Sequence, residues 1–241
     1  MTLDRRHFVA GFAGLALTAP VARADAVQDR ALPPVTWNFD NLTSIGGEVT
    51  HVEGHPQLID SPFGKAVLFD GVADALFIDR HPLAGAKTFA FEAFFRPDGG
   101  AFEQRWFYLD ESDPPLPAGE KPLDPHFTFE IRALPDTWYL DAFTDGPGYK
   151  QTLVFPDKTF RLGQWHHVAQ TYDGRTYRSF VNGALQGEAD IAYVPQGPGR
   201  SCVGTRINRV NYFKGAVARA RFTPWHLTPE QFLKVSGSGF R

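Results

Sequence analysis

Trp165-His166-His167-Val168-Ala169-Gln170-Thr171-Tyr172-Asp173-Gly174, followed two residues later by Tyr177-Arg178-Ser179-Phe180-Val181-Asn182-Gly183, is the stretch that decides the fold. Val168 with Gln170, and Ser179 with Val181, alternate against their neighbours at the two-residue period of a strand. Asp173-Gly174 and Asn182-Gly183 are dipeptides that accept the positive φ of tight turns. The stretch therefore reads as a β-hairpin that leads into a third strand. Adjacent residues of a strand point to opposite faces, so His166 and His167 do not readily serve one catalytic or metal site.

Turn markers divide the rest of the chain in the same way. Strands are expected at 35–39, at 66–69 and 75–78 around Asp70-Gly71, and at 89–96, 105–109, 126–132, 138–143, 151–155, 201–204 and 216–222. Between them, Asp110 to Pro125 is a long irregular stretch rich in proline and carboxylates, of the kind that is usually functional or mobile. The chain has 241 residues with 22 Phe, 23 Gly and 19 Pro, which suits many short strands in one large domain. No helical period appears after the amino terminus, so the expected class is all-β, with two antiparallel sheets. A net charge of −3 argues against nucleic acid as the partner, because phosphate binding needs a basic field. Arg200, Arg206, Arg209 and Lys214 do form a local basic cluster, read either as a solvated loop or as an anion site.

Several segments together resemble the laminin-G-like, concanavalin-A-like family. The hairpin carries its tryptophan, His-Val-Ala, Tyr-Asp-Gly and Val-Asn-Gly. Residues 66–71 and 89–97 resemble its early strands, and 213–222 followed by Leu227-Thr228-Pro229-Glu230 resemble its last strand and closing helical turn. The resemblance spans about 35–235 and implies a jelly-roll sandwich. It says little of function, since such folds host lectins, adhesion modules, polysaccharide-cleaving enzymes and spacers.

Alternation assigns faces. In His126-Phe127-Thr128-Phe129-Glu130-Ile131-Arg132 the rings and the isoleucine face the core, leaving His126, Thr128, Glu130 and Arg132 on the opposite side. The same logic in 89–96 turns Glu92, Phe94 and Arg96 outward. What the resemblance implies is a groove for sugars on an outer sheet face, containing Glu92, Arg96, Glu130, Arg132 and Tyr139. The alternative is that these charges only pair across neighbouring strands. Sugar sites commonly offer a flat ring with polar groups beside it. Trp106, Trp138, Tyr139, Tyr149 and Tyr212 are candidates for it, whereas Trp37, Trp165 and Trp225 read as packing residues.

Catalytic patterns are incomplete. Glu111-Ser112-Asp113 begins the Glu-x-Asp-x-x-Glu strand of sandwich-fold β-glucanases, but Leu116 stands in the last place and Pro114-Pro115 breaks the strand. Tyr212-Phe213-Lys214-Gly215 is similar to part of an alginate-lyase segment, yet the Gln-x-His segment of that family is missing. Tyr212, Arg132 and His126 remain a chemically reasonable lyase set. For metal, the resemblance implies one rim Ca2+ held by Asp124 and Asn208 with backbone carbonyls. The flanking Arg206 and Arg209 are unfavourable beside such an ion.

The amino terminus reads as an address. Asp4-Arg5-Arg6-His7-Phe8-Val9 resembles a twin-arginine export signal, an apolar stretch runs from Phe8 to Ala19, and an Ala-x-Ala site follows at 22–24 or 24–26. The expectation is a signal peptide at 1–26, a linker at 27–34, the sandwich at 35–235 and a tail at 236–241. No segment is long enough for a membrane span, and the destination is periplasmic or secreted. Cys202 is the only cysteine, which rules out an intramolecular disulfide and makes it a buried apolar residue.

The expected function is a non-catalytic binding module for a glycan or a cell-envelope partner. A polysaccharide lyase or glycoside hydrolase on the same fold is the alternative. A structural or protein-interaction domain is the third.

Overall fold

The computed structural model describes residues 32–111 and 125–234. Its strands are β1 (Val35–Asn38), β2 (Ser44–Ile45), β3 (Glu48–Glu53), β4 (Gln57–Ser61), β5 (Gly64–Asp70), β6 (Ala75–Ile78), β7 (Phe89–Pro97) and β8 (Glu103–Asp110). There follow β9 (His126–Ala133), β10 (Thr137–Gly146), β11 (Tyr149–Val154), β12 (Phe160–Arg161), β13 (His166–Tyr172), β14 (Thr176–Val181), β15 (Ala184–Asp190), β16 (Arg200–Val203) and β17 (Lys214–Thr223). A 3-10 turn at Pro229–Gln231 closes the described chain.

The strands form two antiparallel sheets, so the expected all-β sandwich is what the chain adopts. The first runs β15-β14-β13-β7-β17-β5-β4, with β1 pairing the end of β17 that β5 leaves free. The second runs β11-β10-β9-β8-β16-β6-β3-β2, with β12 also beside β10. The hairpin of the opening stretch is β13–β14, with Val168 opposite Val181 and Tyr172 opposite Tyr177, and it lies between β7 and β15. At its second turn Asn182 and Gly183 take φ of 51° and 78°, as the dipeptide requires. Strands β5 and β6 belong to different sheets, so the Asp70 turn carries the chain across the sandwich. Asp70 Oδ1 accepts the amides of Val72, Ala73 and Asp74 at 2.8, 3.0 and 3.1 Å, and Asp74 accepts those of His55 and Asp70.

Strands β2, β3, β4 and β12 carry no clear signal in the sequence. They are short or lie toward sheet margins, and β3 and β4 expose most of their residues, so no apolar alternation is demanded of them.

Between the sheets lies an aromatic core. Phe91 of β7 packs on Phe129 at 4.1 Å between centroids and on Phe107, Phe222 and Trp106 at 5.3, 5.3 and 5.8 Å. Trp37, Trp106 and Trp138 are all fully buried there. Trp106 and Trp138 are therefore core residues and not sugar platforms, which corrects the sequence expectation. Among the described residues no helix is long and apolar enough to cross a membrane.

The outer face of the first sheet is itself covered over β7, β13 and β14. Leu227, Phe232 and Leu233 of the carboxyl-terminal segment pack with Ala90, Ala169, Phe180 and Phe94. Glu92 is sealed beneath them, fully buried. Its carboxylate accepts from Arg221 Nε at 2.6 Å and from the Leu233 amide at 2.6 Å, and it meets His167 Nε2 at 3.1 Å. A buried carboxylate held this way is tolerable only with its partners present. Replacing Glu92 with Ala should cost about 3–5 kcal/mol of unfolding free energy, because Arg221 and His167 lose their buried acceptor. Denaturant melts measure the loss, and faster hydrogen exchange at the Leu233 amide should accompany it; wild-type protection there would show that Glu92 does not pin the segment.

Candidate functional site

The outer face of the second sheet is open over its β8–β11 part, whereas the first sheet is covered over β7, β13 and β14. A groove of about 380 Å³ lies on it, floored by β8, β9, β10 and β11 and bounded on one side by the loop between β16 and β17. Antiparallel register fixes which side chains share the floor. Glu130 faces Arg105 on one side and Asp141 on the other, Arg132 faces Glu103 and Tyr139, and Thr128 faces Tyr108 and Phe143.

Five of these groups form one network. Arg132 reaches Glu130 at 2.9 Å and Asp141 at 2.7 Å, with Glu103 at 3.8 Å. Arg105 reaches Glu130 at 3.2 Å and also pairs with Glu103. Glu130 and Asp141 are buried and Arg105 and Arg132 nearly so, hence the pairs are screened far less than surface ones. Three carboxylates share two guanidiniums, and the imbalance falls on Asp141. Burial, reinforced by the adjacent Glu130 charge and opposed by Arg132 and Arg105, raises its carboxyl to about 6. Burial works against the charge on Arg132, but Asp141 and Glu130 hold its pKa above the ordinary arginine value.

Beside the network the floor turns aromatic. Phe143 is partly buried, Lys150 lies over its ring at 5.2 Å, and His126 packs on it with centroids 5.4 Å apart and stacks on Tyr108. Lys150 is paired with Asp145 at 3.0 Å. A charged network next to a partly open ring offers directional hydrogen-bond groups and an apolar face in one groove.

The loop from Gly204 to Phe213 forms the wall. Backbone bonds hold it, among them Arg209 N to Arg206 O at 2.8 Å, Phe213 N to Gly204 O at 2.8 Å and Arg105 N to Asn211 O at 2.8 Å. Arg209 and Asn211 take φ of 60° and 59°, an uncommon backbone for residues other than glycine. Arg206 turns into the groove over the Tyr108 ring at 5.8 Å. Arg209 lies over Phe77 at 4.6 Å and grips Glu53, toward a second, smaller hollow with His51, Asp79 and Arg200.

The expected site residues thus separate. Glu130 and Arg132 line this groove, whereas Tyr139, opposite Arg132 in register and nine-tenths buried, is not among its lining residues. Glu92 and Arg96 do not join them, because β7 belongs to the other sheet. Glu92 is sealed under the carboxyl-terminal segment, and Arg96 makes a two-bond pair with Asp98 at 2.8 Å and lies over Trp165 at 5.5 Å. The single groove expected from alternation is corrected accordingly: alternation says that a residue points outward but not from which sheet. Tyr212 packs with Tyr108, Cys202, Ile207 and Phe77 outside the groove lining, and burial raises its hydroxyl pKa, the wrong direction for a proton-abstracting base. The lyase set with Arg132 and His126 is therefore not assembled.

Of the expected Ca2+ pair, Asp124 lies outside the described residues. Asn208 is buried in the loop that carries Arg206 and Arg209. Among the described residues no three His, Cys, Asp or Glu side chains converge to hold a metal ion.

Phe143, Asp141, Arg105 and Arg206 were missed as groove residues. The first two were within reach, since Tyr139, Asp141 and Phe143 share one face of a strand by simple alternation. Arg105 precedes a register shift in β8, and Arg206 is brought in by a loop.

Comparison with known proteins places this geometry. Residues 70–231 match the family model described as the concanavalin A-like lectin/glucanases superfamily. No curated protein sequence matches the chain. Domain 4 of AbnA, a GH43 extracellular arabinanase from Geobacillus stearothermophilus solved with arabinotriose, is similar with a TM-score of 0.60 and 16% identity, covering 82% of this chain and 94% of that one. Trypanosoma rangeli sialidase bound to the inhibitor DANA is similar with a TM-score of 0.55 and 11% identity over 81% of this chain and 31% of the sialidase. The binding domain of botulinum neurotoxin DC in complex with SialylT gives 0.53 and 11% over 82% of this chain and 49% of that one. The chain thus spans nearly all of the arabinanase domain but only a third to a half of the other two. At these identities the likeness is one of fold.

The Asp141 reading has a direct check. A carboxyl whose folded pKa, about 6, exceeds its unfolded value of 3.8 binds its proton more tightly in the native state. Its contribution to stability is therefore absent well above pH 6 and grows as pH falls through 6 toward 4. The stability of wild type relative to Asp141→Asn should rise across that window by about 1–3 kcal/mol, measured by denaturant melts at pH 7.5 and 4.5. A pH-independent difference would place the proton elsewhere in the network.

Proposed function

The chain belongs to the concanavalin A-like lectin/glucanases superfamily, and on that footing we propose that it is an exported, non-catalytic module that binds carbohydrate in the groove on its second sheet. One observation carries this reading: the groove joins a fixed set of carboxylates and guanidiniums to the Phe143 ring on a single rigid sheet face. Sugar hydroxyls need directional donors and acceptors, and the C–H face of a pyranose packs well on a ring. Both are held by strand register, so little ordering entropy is lost on binding.

The carboxylates support binding more than hydrolysis. Glu130 is engaged by Arg105 and Arg132, and Asp141 by Arg132, an arrangement that holds the groups in place instead of leaving a free nucleophile and acid across a scissile bond. The arabinanase domain solved with arabinotriose supports a glycan as the ligand class, and the export reading rests on the twin-arginine-like start.

A glycan-array screen of the chain from residue 27 onward tests the proposal. Binding to at least one glycan, without depolymerisation of it, is expected. Phe143→Ala should weaken that binding by about tenfold or more, in line with the loss of a stacking contact of about 1.5 kcal/mol. Cleavage of a bound glycan would overturn the non-catalytic reading, and binding insensitive to Phe143 would move the site off this groove.

A further inference from the structure

We propose that the groove takes a glycan unit bearing a carboxylate, and that Arg206 is the side chain that reads that charge. The inference rests on the groove being the glycan site and adds the ligand's chemical class.

Four cations line the groove, namely Arg105, Arg132, Lys150 and Arg206. Three are committed within the protein: Arg105 and Arg132 to Glu103, Glu130 and Asp141, and Lys150 to Asp145. Among the described residues Arg206 has no carboxylate partner, and its Nε is buried without a hydrogen-bond acceptor. A guanidinium partly withdrawn from water and left unpaired is unfavourable in the free protein, and an incoming anion relieves that penalty.

Geometry favours the same assignment. One face of the Arg206 guanidinium is turned to Tyr108, which leaves its N–H edge as the available donor surface. A planar carboxylate matches such an edge with two parallel bonds, whereas a hydroxyl takes one and leaves the charge uncompensated. The loop that carries Arg206 is pinned by its own backbone bonds, so the side chain starts from a fixed root. Arg209, three residues further along the same wall, shows the contrast: it already has Glu53.

The network also sets the direction of the ligand. Glu130 and Asp141 repel an anion from the β9–β10 part of the floor and accept hydrogen bonds from hydroxyls there. The carboxylate is therefore placed at the Arg206 wall and the hydroxyls over the network.

The test compares oligomers of galacturonate, alginate and hyaluronate with the same oligomers after carboxyl reduction, by calorimetry at low salt. For at least one pair the acidic form should bind about tenfold tighter or more than its reduced counterpart, a preference that shrinks as salt is raised. Arg206→Gln, confirmed folded by its thermal melt, should bring that ratio close to one, and Arg206→Lys should keep part of it, having the charge without the fork. A wild-type ratio near one in every pair, or a ratio unchanged in Arg206→Gln, overturns the inference. Neutral glycans binding on the array with no acidic preference would overturn it while leaving the glycan site standing. Silence toward acidic and neutral glycans alike would overturn both.

Discussion

The contact of Phe91 with the rings of Phe129, Phe107, Trp106 and Phe222 joins the two sheets and governs what the rest of the molecule can do. Inner faces crowded with rings leave no room between the sheets for charge. The carboxylates and guanidiniums of the central strands are pushed to an outer face, His166 turns inward against Trp138 and Phe160, and the two outer faces then meet different fates. The first is covered over β7, β13 and β14 by the carboxyl-terminal segment, and the second is left open with a groove over β8 to β11.

That asymmetry explains why similar residues play different parts. Glu92 and Glu130 both point outward from central strands, and both are buried and bonded to arginine. Under the carboxyl-terminal segment, Glu92 accepts a backbone amide and closes the fold. On the open sheet, Glu130 belongs to a network of three carboxylates and two guanidiniums, in which burial and the adjacent Glu130 charge raise the pKa of Asp141. Charge that is balanced within the protein serves structure. A charge with no carboxylate partner among the described residues, that of Arg206, is what the proposed ligand would use.

Much of the fold was legible because burial on alternate residues demands a pattern. The hairpin from Trp165 to Gly183, the long β7 and the β9 alternation all carry it, since a one-residue slip in any of them would put rings into water. Strands β3 and β4 were not legible, because they lie toward sheet margins and bury too little for a pattern to be needed. Trp106 and Trp138 lie near predicted strand ends, which suggested exposure, but strand parity places Trp138 in the core and the register shift in β8 turns Trp106 inward beside Phe107.

The sequence by itself determined the fold class, the turn positions and which residues of each strand point outward, because those follow from local period and turn chemistry. It also held the separate components of the groove, Glu130 and Arg132 on one strand and Asp141 with Phe143 on another. Only the tertiary structure decided which outward faces belong together. Glu92 and Arg96 left the set and Arg206 entered it, because strand order and a loop crossing depend on pairings between residues far apart in the chain, and no local period records them.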